Sequence, residues 1–195
     1  MSDAVKELEK LPVNSMVKMD GKEYGIAASV TFHELYQTGG SSAWVRRGKQ
    51  SRGLVLSNKQ LLLRVPAEEG GRYVWLRLKP TTEASNLRGF YKGGDSPGEW
   101  GPARRFAKQE QSGEVLYDLL GTKWQVRDIG TLEVEVDGES AWLHSGDRLY
   151  FVTSQAVAQN EWLVYLDARP GEAQGTGGLF RGVAFQPNEL IEEVL

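Results

Sequence analysis

The chain has 195 residues, a formal net charge of -3, 40% hydrophobic and 25% charged residues, the proportions of a soluble globular protein long enough to bury a core without covalent staples. It contains no cysteine, which excludes disulfides, thiolate metal sites and cysteine nucleophiles, and its acidic total argues against nucleic acid or an anionic membrane as partner. No apolar run approaches the roughly twenty residues that span a bilayer, and the opening MSDAVKELEKLPV lacks the apolar core of a signal peptide, so the expectation is a cytoplasmic protein without membrane insertion.

Residues 2–10 predict a short helix capped by Ser2 or Asp3, with Ala4, Leu8 and Leu11 on one face and Pro12 as its end. The pattern then changes to period two. In VKMDGKEYGI, Asp20-Gly21 between two short runs signals a hairpin. GLVLSNKQLLLRV predicts a second hairpin turning at Ser57 to Gln60. In RYVWLRLKP, Val74, Leu76 and Leu78 share one face, and Tyr73, Trp75 and Arg77 the other. Residues 81–113 are rich in Gly, Pro, Ser and charge and predict a long connection with a helical turn near Pro102 to Gln109. In TLEVEVDGESAWLH, Leu132, Val134 and Val136 alternate with Thr131, Glu133 and Glu135, giving one buried and one wet face, with a turn at Asp137-Gly138. DRLYFVTS, EWLVYLDA and LFRGVAF follow as strands, and Pro187 opens a helical tail.

An internal echo runs through this order. Gly21, Tyr24 and Ile26 are answered by Gly121, Trp124 and Val126, Trp44 to Gly48 by Trp142 to Gly146, and Trp75-Leu76 by Trp162-Leu163. A unit of five or six short strands buries its own apolar face poorly, whereas two such units packed together bury both. The expected architecture is therefore mostly β. It comprises two pseudo-repeated antiparallel units, small barrels or sandwich halves, with a helical segment over 1–12, a first unit over 13–80, a connection over 81–113 and a second unit over 114–195. The segments MVKMDGKEYGI, VLYDLLGTKWQVRDIGTL, SGDRLYF and FRGVAFQPNEL resemble the bacterial family called domain of unknown function 4178. That resemblance implies a soluble bacterial β module with a duplicated unit and transfers no catalytic residue.

No catalytic constellation emerges. His33 and Glu34 are neighbours in a strand and point to opposite faces, so they form no dyad. His144 lies near a turn, and no ligand spacing supports a metal or cofactor. The serines lack a nucleophile elbow, and GEAQGTGGLFRG lacks both the Gly-Lys-Ser/Thr of a phosphate loop and the strand-to-helix context of a dinucleotide fingerprint. Glu133 and Glu135 read as a solvated face. The basic clusters around Arg46 and Arg47, and around Arg104 and Arg105 with Trp100 and Phe106, have the arginine–aromatic make-up of protein interfaces. The leading expectation is a non-catalytic binding or adaptor module using those six residues, with sheet edges available for self-association. Two alternatives stand beside it. One is a ligand-binding or enzymatic barrel in which Trp44, Trp75, Trp142 and Trp162 line a pocket between the units. The other is a structural subunit of a larger assembly.

Overall fold

The computed structural model describes residues 8–37, 43–66, 73–80, 116–119, 121–140, 143–168 and 177–194. The chain runs through a 3-10 turn at Leu8–Lys10, then β1 (Met16–Met19), β2 (Lys22–Gln37), β3 (Trp44–Leu56), β4 (Leu61–Pro66), β5 (Tyr73–Pro80), β6 (Leu116–Leu119), β7 (Thr122–Gly138), β8 (Arg148–Ala156), β9 (Trp162–Ala168) and β10 (Gly177–Phe185). A single helical turn, α1 (Pro187–Leu190), leads into β11 (Ile191–Val194). All neighbouring strands are antiparallel, in the order β11-β1-β2-β3-β4-β5-β10-β9-β8-β7-β6, and β2 also pairs with β7. That last pairing closes β2, β3, β4, β5, β10, β9, β8 and β7 into an eight-stranded barrel. β1 with β11, and β6, extend outside the ring.

The period-two patterns place the side chains. Val74, Leu76 and Leu78 face the lumen with Ala28, Val30, Phe32, Leu132 and Val134. Trp75 faces outward, where β1, β11 and the 3-10 turn fold a second layer over β3, β4 and β5. There Leu8, Leu11, Val17, Met19 and Ile26 pack on Leu54, Leu56 and Leu62. This double burial explains the unbroken apolar runs in β3 and β4, which have a wall on each side. Ile26 lies in the outer layer and Ala28 in the lumen although two residues separate them. A β-bulge between them turns the strand over, and an equal bulge interrupts β7 between Val126 and Asp128.

Several expectations need correction. The two units expected to pack together contribute strands to one barrel with a shared lumen, because β2–β7 and β5–β10 zip residues from before position 81 to residues from after 115. Of the helix expected near the N-terminus, the described part is the 3-10 turn Leu8–Lys10; the preceding residues lie outside those described. The Asp20-Gly21 hairpin forms, with both residues at positive φ (52° and 71°), as does the turn after Leu56. Asp137-Gly138 is no tight turn: it ends β7 in register with Ser29 and Ala28 of β2, and the chain reaches β8 through residues 139–147. Trp75 and Trp162, expected as equivalent, lie in the outer layer and in the lumen respectively. The 81–113 connection lies outside the described residues.

Both closing seams carry a glycine that a side chain would evict. A Cβ on Gly182 of β10 would stand 1.7 Å from the Arg77 carbonyl oxygen of β5, and one on Gly138 would stand 2.4 Å from that of Ala27 on β2, where φ is also +95°. In each case the obstacle is backbone that cannot rotate away. We expect Gly182→Ala to cost more than about 2 kcal/mol by urea denaturation, with the m-value retained if the variant still closes.

Candidate functional site

The lumen is not filled. A cavity of about 460 Å³ runs inside the barrel, and its lining includes Phe32, Leu63, Leu132, Phe151, Trp162 and Val164 as buried walls. Exposed Gln50, Pro66 and Tyr73 also line it and mark its mouth. At the opposite end Leu143 is buried in the luminal cluster and the 139–147 connection is tied back onto β7. Val134 N–H donates to the Asp147 carbonyl (3.0 Å), Gly146 N–H to that of Val134 (2.8 Å), and Val136 N–H to Ser145 Oγ (2.8 Å). Among the described residues, Leu143 and its turn thus cover one end of the barrel, and the cavity reaches exposed residues at the other.

The polar part of the lining is Glu34, Ser51, Arg127, Asp128 and Thr153 beside Gln50. Glu34 follows Phe32 by two residues and so shares its luminal face. Asp128 sits directly after the β7 bulge, on the same alternation as Leu132 and Val134. Without that bulge the face of Trp124 and Val126 would continue through 128, so the bulge delivers the carboxylate into the lumen. Sequence reasoning missed both residues. For Glu34 the signal was present, since it is in phase with Ala28, Val30 and Phe32; for Asp128 the bulge hid it.

On the outside of the β2–β7 seam, four of the side chains considered above come together. Arg46 of β3 donates to Glu133 Oε1 from Nε (3.1 Å) and Nη2 (2.7 Å), and to Glu135 Oε1 (3.1 Å). His33, 6% exposed, brings Nε2 to 3.2 Å from Glu135 Oε2. Nε2 has no aligned hydrogen bond, so this contact is a close approach of ring and carboxylate and not a directed hydrogen bond. Glu133 and Glu135 are therefore clasp residues across β3, β7 and β2 as well as a wet face. His144 is exposed at its turn, with Nδ1 3.5 Å from Asp147 Oδ2, and among the described residues no cluster of metal-ligating side chains occurs.

Two arginines fasten the outer layer. Arg77 of β5 donates from Nε to Gln60 Oε1 (3.0 Å), pairs with Asp20 and lies 6.0 Å from the Tyr24 ring centroid. Arg181 of β10 donates from Nε to Glu161 and lies 5.4 Å from the centroid of fully buried Trp124.

Of the six residues expected to bind a protein, Arg46 is committed to the Glu133–Glu135 clasp and Arg47 lies in β3 with its side chain outside the described part. Trp100, Arg104, Arg105 and Phe106 lie wholly outside it. Of the four tryptophans expected in a pocket, Trp162 lines the cavity, Trp75 supports the outer layer and Trp142 is outside the described residues; Trp44 is half-buried at the start of β3. Among the described residues no helix is long and apolar enough to cross a membrane.

The His33 contact first, and Arg46 second, hold the Glu135 carboxyl below its ordinary value of 4.5. A depressed carboxylate pKa stabilises the fold above the unfolded value, and that contribution is lost as pH falls through the folded value. The Tm advantage of the native chain over Glu135→Gln should therefore be present above about pH 5 and close below about pH 4, as thermal melts across that range would show. No family model, no curated protein and no solved structure matches this chain.

Proposed function

We propose that this protein binds a small, mainly apolar molecule inside its barrel. The carrying observation is the cavity of about 460 Å³ with its buried aromatic and aliphatic wall and exposed residues at one end. Small-molecule sites run from roughly 300 to 1,000 Å³ with apolar walls and a few placed polar groups, and an eight-stranded barrel is about the size at which a lumen is either packed solid or holds one small ligand. The adaptor reading rests chiefly on side chains outside the described residues, and its one described arginine is already engaged by two carboxylates. Trp162 in the cavity wall gives a direct readout. A short aliphatic alcohol such as octanol should change Trp fluorescence saturably. Trp162→Phe should remove most of the change, and Val164→Phe, which fills part of the cavity, should weaken binding by at least about tenfold. An unsaturable or absent response to octanol and to a panel of metabolites would refute the reading.

We further infer that the barrel is one β unit used twice, as the resemblance noted from the sequence implies. Register supports this. β2–β7 pairs His33 with Glu133 at the position a two-fold relation of Gly21 to Gly121 requires, and β5–β10 pairs Leu78 with Gly182. The bulges at Ile26/Ala28 and Val126/Asp128 correspond. So do the arginine clamps: Arg77 with Tyr24 and Gln60 matches Arg181 with Trp124 and Glu161, the acceptor preceding the first residue of β4 or β9 in each. The tryptophan echo contributes less, since Trp75 matches Leu179 by register and Trp162 matches Leu61. Equivalent sites should accept each other's residues. The exchange Gln60→Glu with Glu161→Gln should shift stability by less than about 0.5 kcal/mol, while Gln60→Ala and Glu161→Ala should each cost about 1 kcal/mol in chemical denaturation. An exchange as costly as the alanines would count against equivalence.

A further inference from the structure

Resting on the ligand-binding reading, we propose that Gly130 of β7 is the residue that sets the size of molecule the barrel admits. Gly130 stands directly opposite Phe151 of β8, and Phe151 is one of the cavity walls. Gly130 has the luminal phase, between Asp128 and Leu132. Those two line the cavity and Gly130 does not, because the Phe151 ring lies over it. The three atoms nearest to a Cβ built on Gly130 all belong to that ring, at 2.9, 3.4 and 3.9 Å. The ring thus occupies the place of the missing side chain. A glycine inside a strand marks such a close approach, and an aromatic laid across a cross-strand glycine is drawn back against the backbone.

The backbone does not demand glycine here. Unlike Gly138, Gly130 lies outside the left-handed region, and unlike Gly182 it faces a side chain and no carbonyl. What glycine provides at 130 is room for the ring. Any side chain there would push Phe151 away from β7. The surrounding wall cannot take the ring, since Leu132, Leu149 and Leu166 are buried in the same luminal cluster, Leu166 directly opposite Phe151 on β9. The remaining direction is into the cavity. On the repeat reading, the matching pair in the other half is Val30 opposite Gly53. There a branched side chain is accepted at the position of Gly130, and Val30 is fully buried in the luminal core. A Cβ on Gly53 would stand 3.2 Å from Leu61 Cδ1 and 3.4 Å from Phe32 Cε2, so that half is filled from β2 and β4. The bare position with the ring laid back occurs on the wall that the cavity uses.

The test measures binding of straight-chain alcohols from butanol to decanol by Trp fluorescence on the full chain. Gly130→Ala should weaken octanol by at least about tenfold and butanol by less than about threefold, so that the loss grows with chain length. Adding Phe151→Leu to Gly130→Ala should return octanol to within about threefold of the native chain, a recovery that a general loss of packing would not allow. Phe151→Leu alone should bind decanol at least about threefold tighter than the native chain does, and this arm decides the matter if Gly130→Ala does not fold. Equal losses for butanol and octanol, octanol binding unchanged by Gly130→Ala, no recovery in the double variant, or no gain for decanol in Phe151→Leu would overturn the proposal and leave the ligand-binding reading standing. Failure of every alcohol to bind the native chain would overturn the proposal, and failure of the metabolite panel as well would overturn the reading with it.

Discussion

Everything in this molecule depends on β2 meeting β7. An eight-stranded antiparallel sheet left open would present two edges to solvent and one half-buried face; joined along β2–β7 it has no edge in the ring and an enclosed interior. The two strands can do this because they are long, 16 and 17 residues, and because each is broken early by a bulge. Before the bulge, β2 pairs with β1 and β7 with β6, outside the ring. After it, the strands have turned over and pair with one another. One local device therefore divides each strand between two jobs, building the outer layer and closing the lumen.

That division has an energetic consequence. A lumen with an unfilled cavity loses dispersion contacts along its lining, and cavities in packed interiors are destabilising in proportion to their volume. The outer layer offsets the loss. Leu8, Leu11, Val17, Met19, Ile26, Leu54, Leu56, Leu62 and Trp75 form a second core that owes nothing to the lumen, and Arg77 ties it to β5 through Gln60 and Tyr24. On the other half Trp124 is fully buried under Arg181. Stability invested outside the barrel is what lets the inside remain partly empty.

Local patterns in the sequence carried much of this. Alternation placed Val74, Leu76 and Leu78 opposite Trp75 and Arg77, and Asp20-Gly21 made its turn, because those features depend on period two and on φ. Closure was not legible. It depends on a register between residues about a hundred apart, which no local pattern encodes. Asp137-Gly138 misled for the same reason: a turn dipeptide became a strand end once β2 offered its backbone, with Gly138 chosen for the space beside the Ala27 carbonyl. The bulges, which reverse facing at Ala28 and Asp128, hid the second carboxylate of the lumen. Glu133 and Glu135 alternate onto the wet face, and they do face out; their partners Arg46 and His33 arrive from β3 and β2 only after closure.

The two acidic settings show how position decides what a carboxylate does here. On the outer face of the seam, Glu133 and Glu135 meet Arg46 within hydrogen-bonding distance and Glu135 meets His33 as well, so their charges are spent on joining three strands. Inside the same seam, one residue along, Glu34 looks into a cavity with aromatic walls and shares it with Asp128 and a single arginine. The alternation that turns the Glu133 and Glu135 clasp outward thus turns a polar patch inward beside the apolar wall.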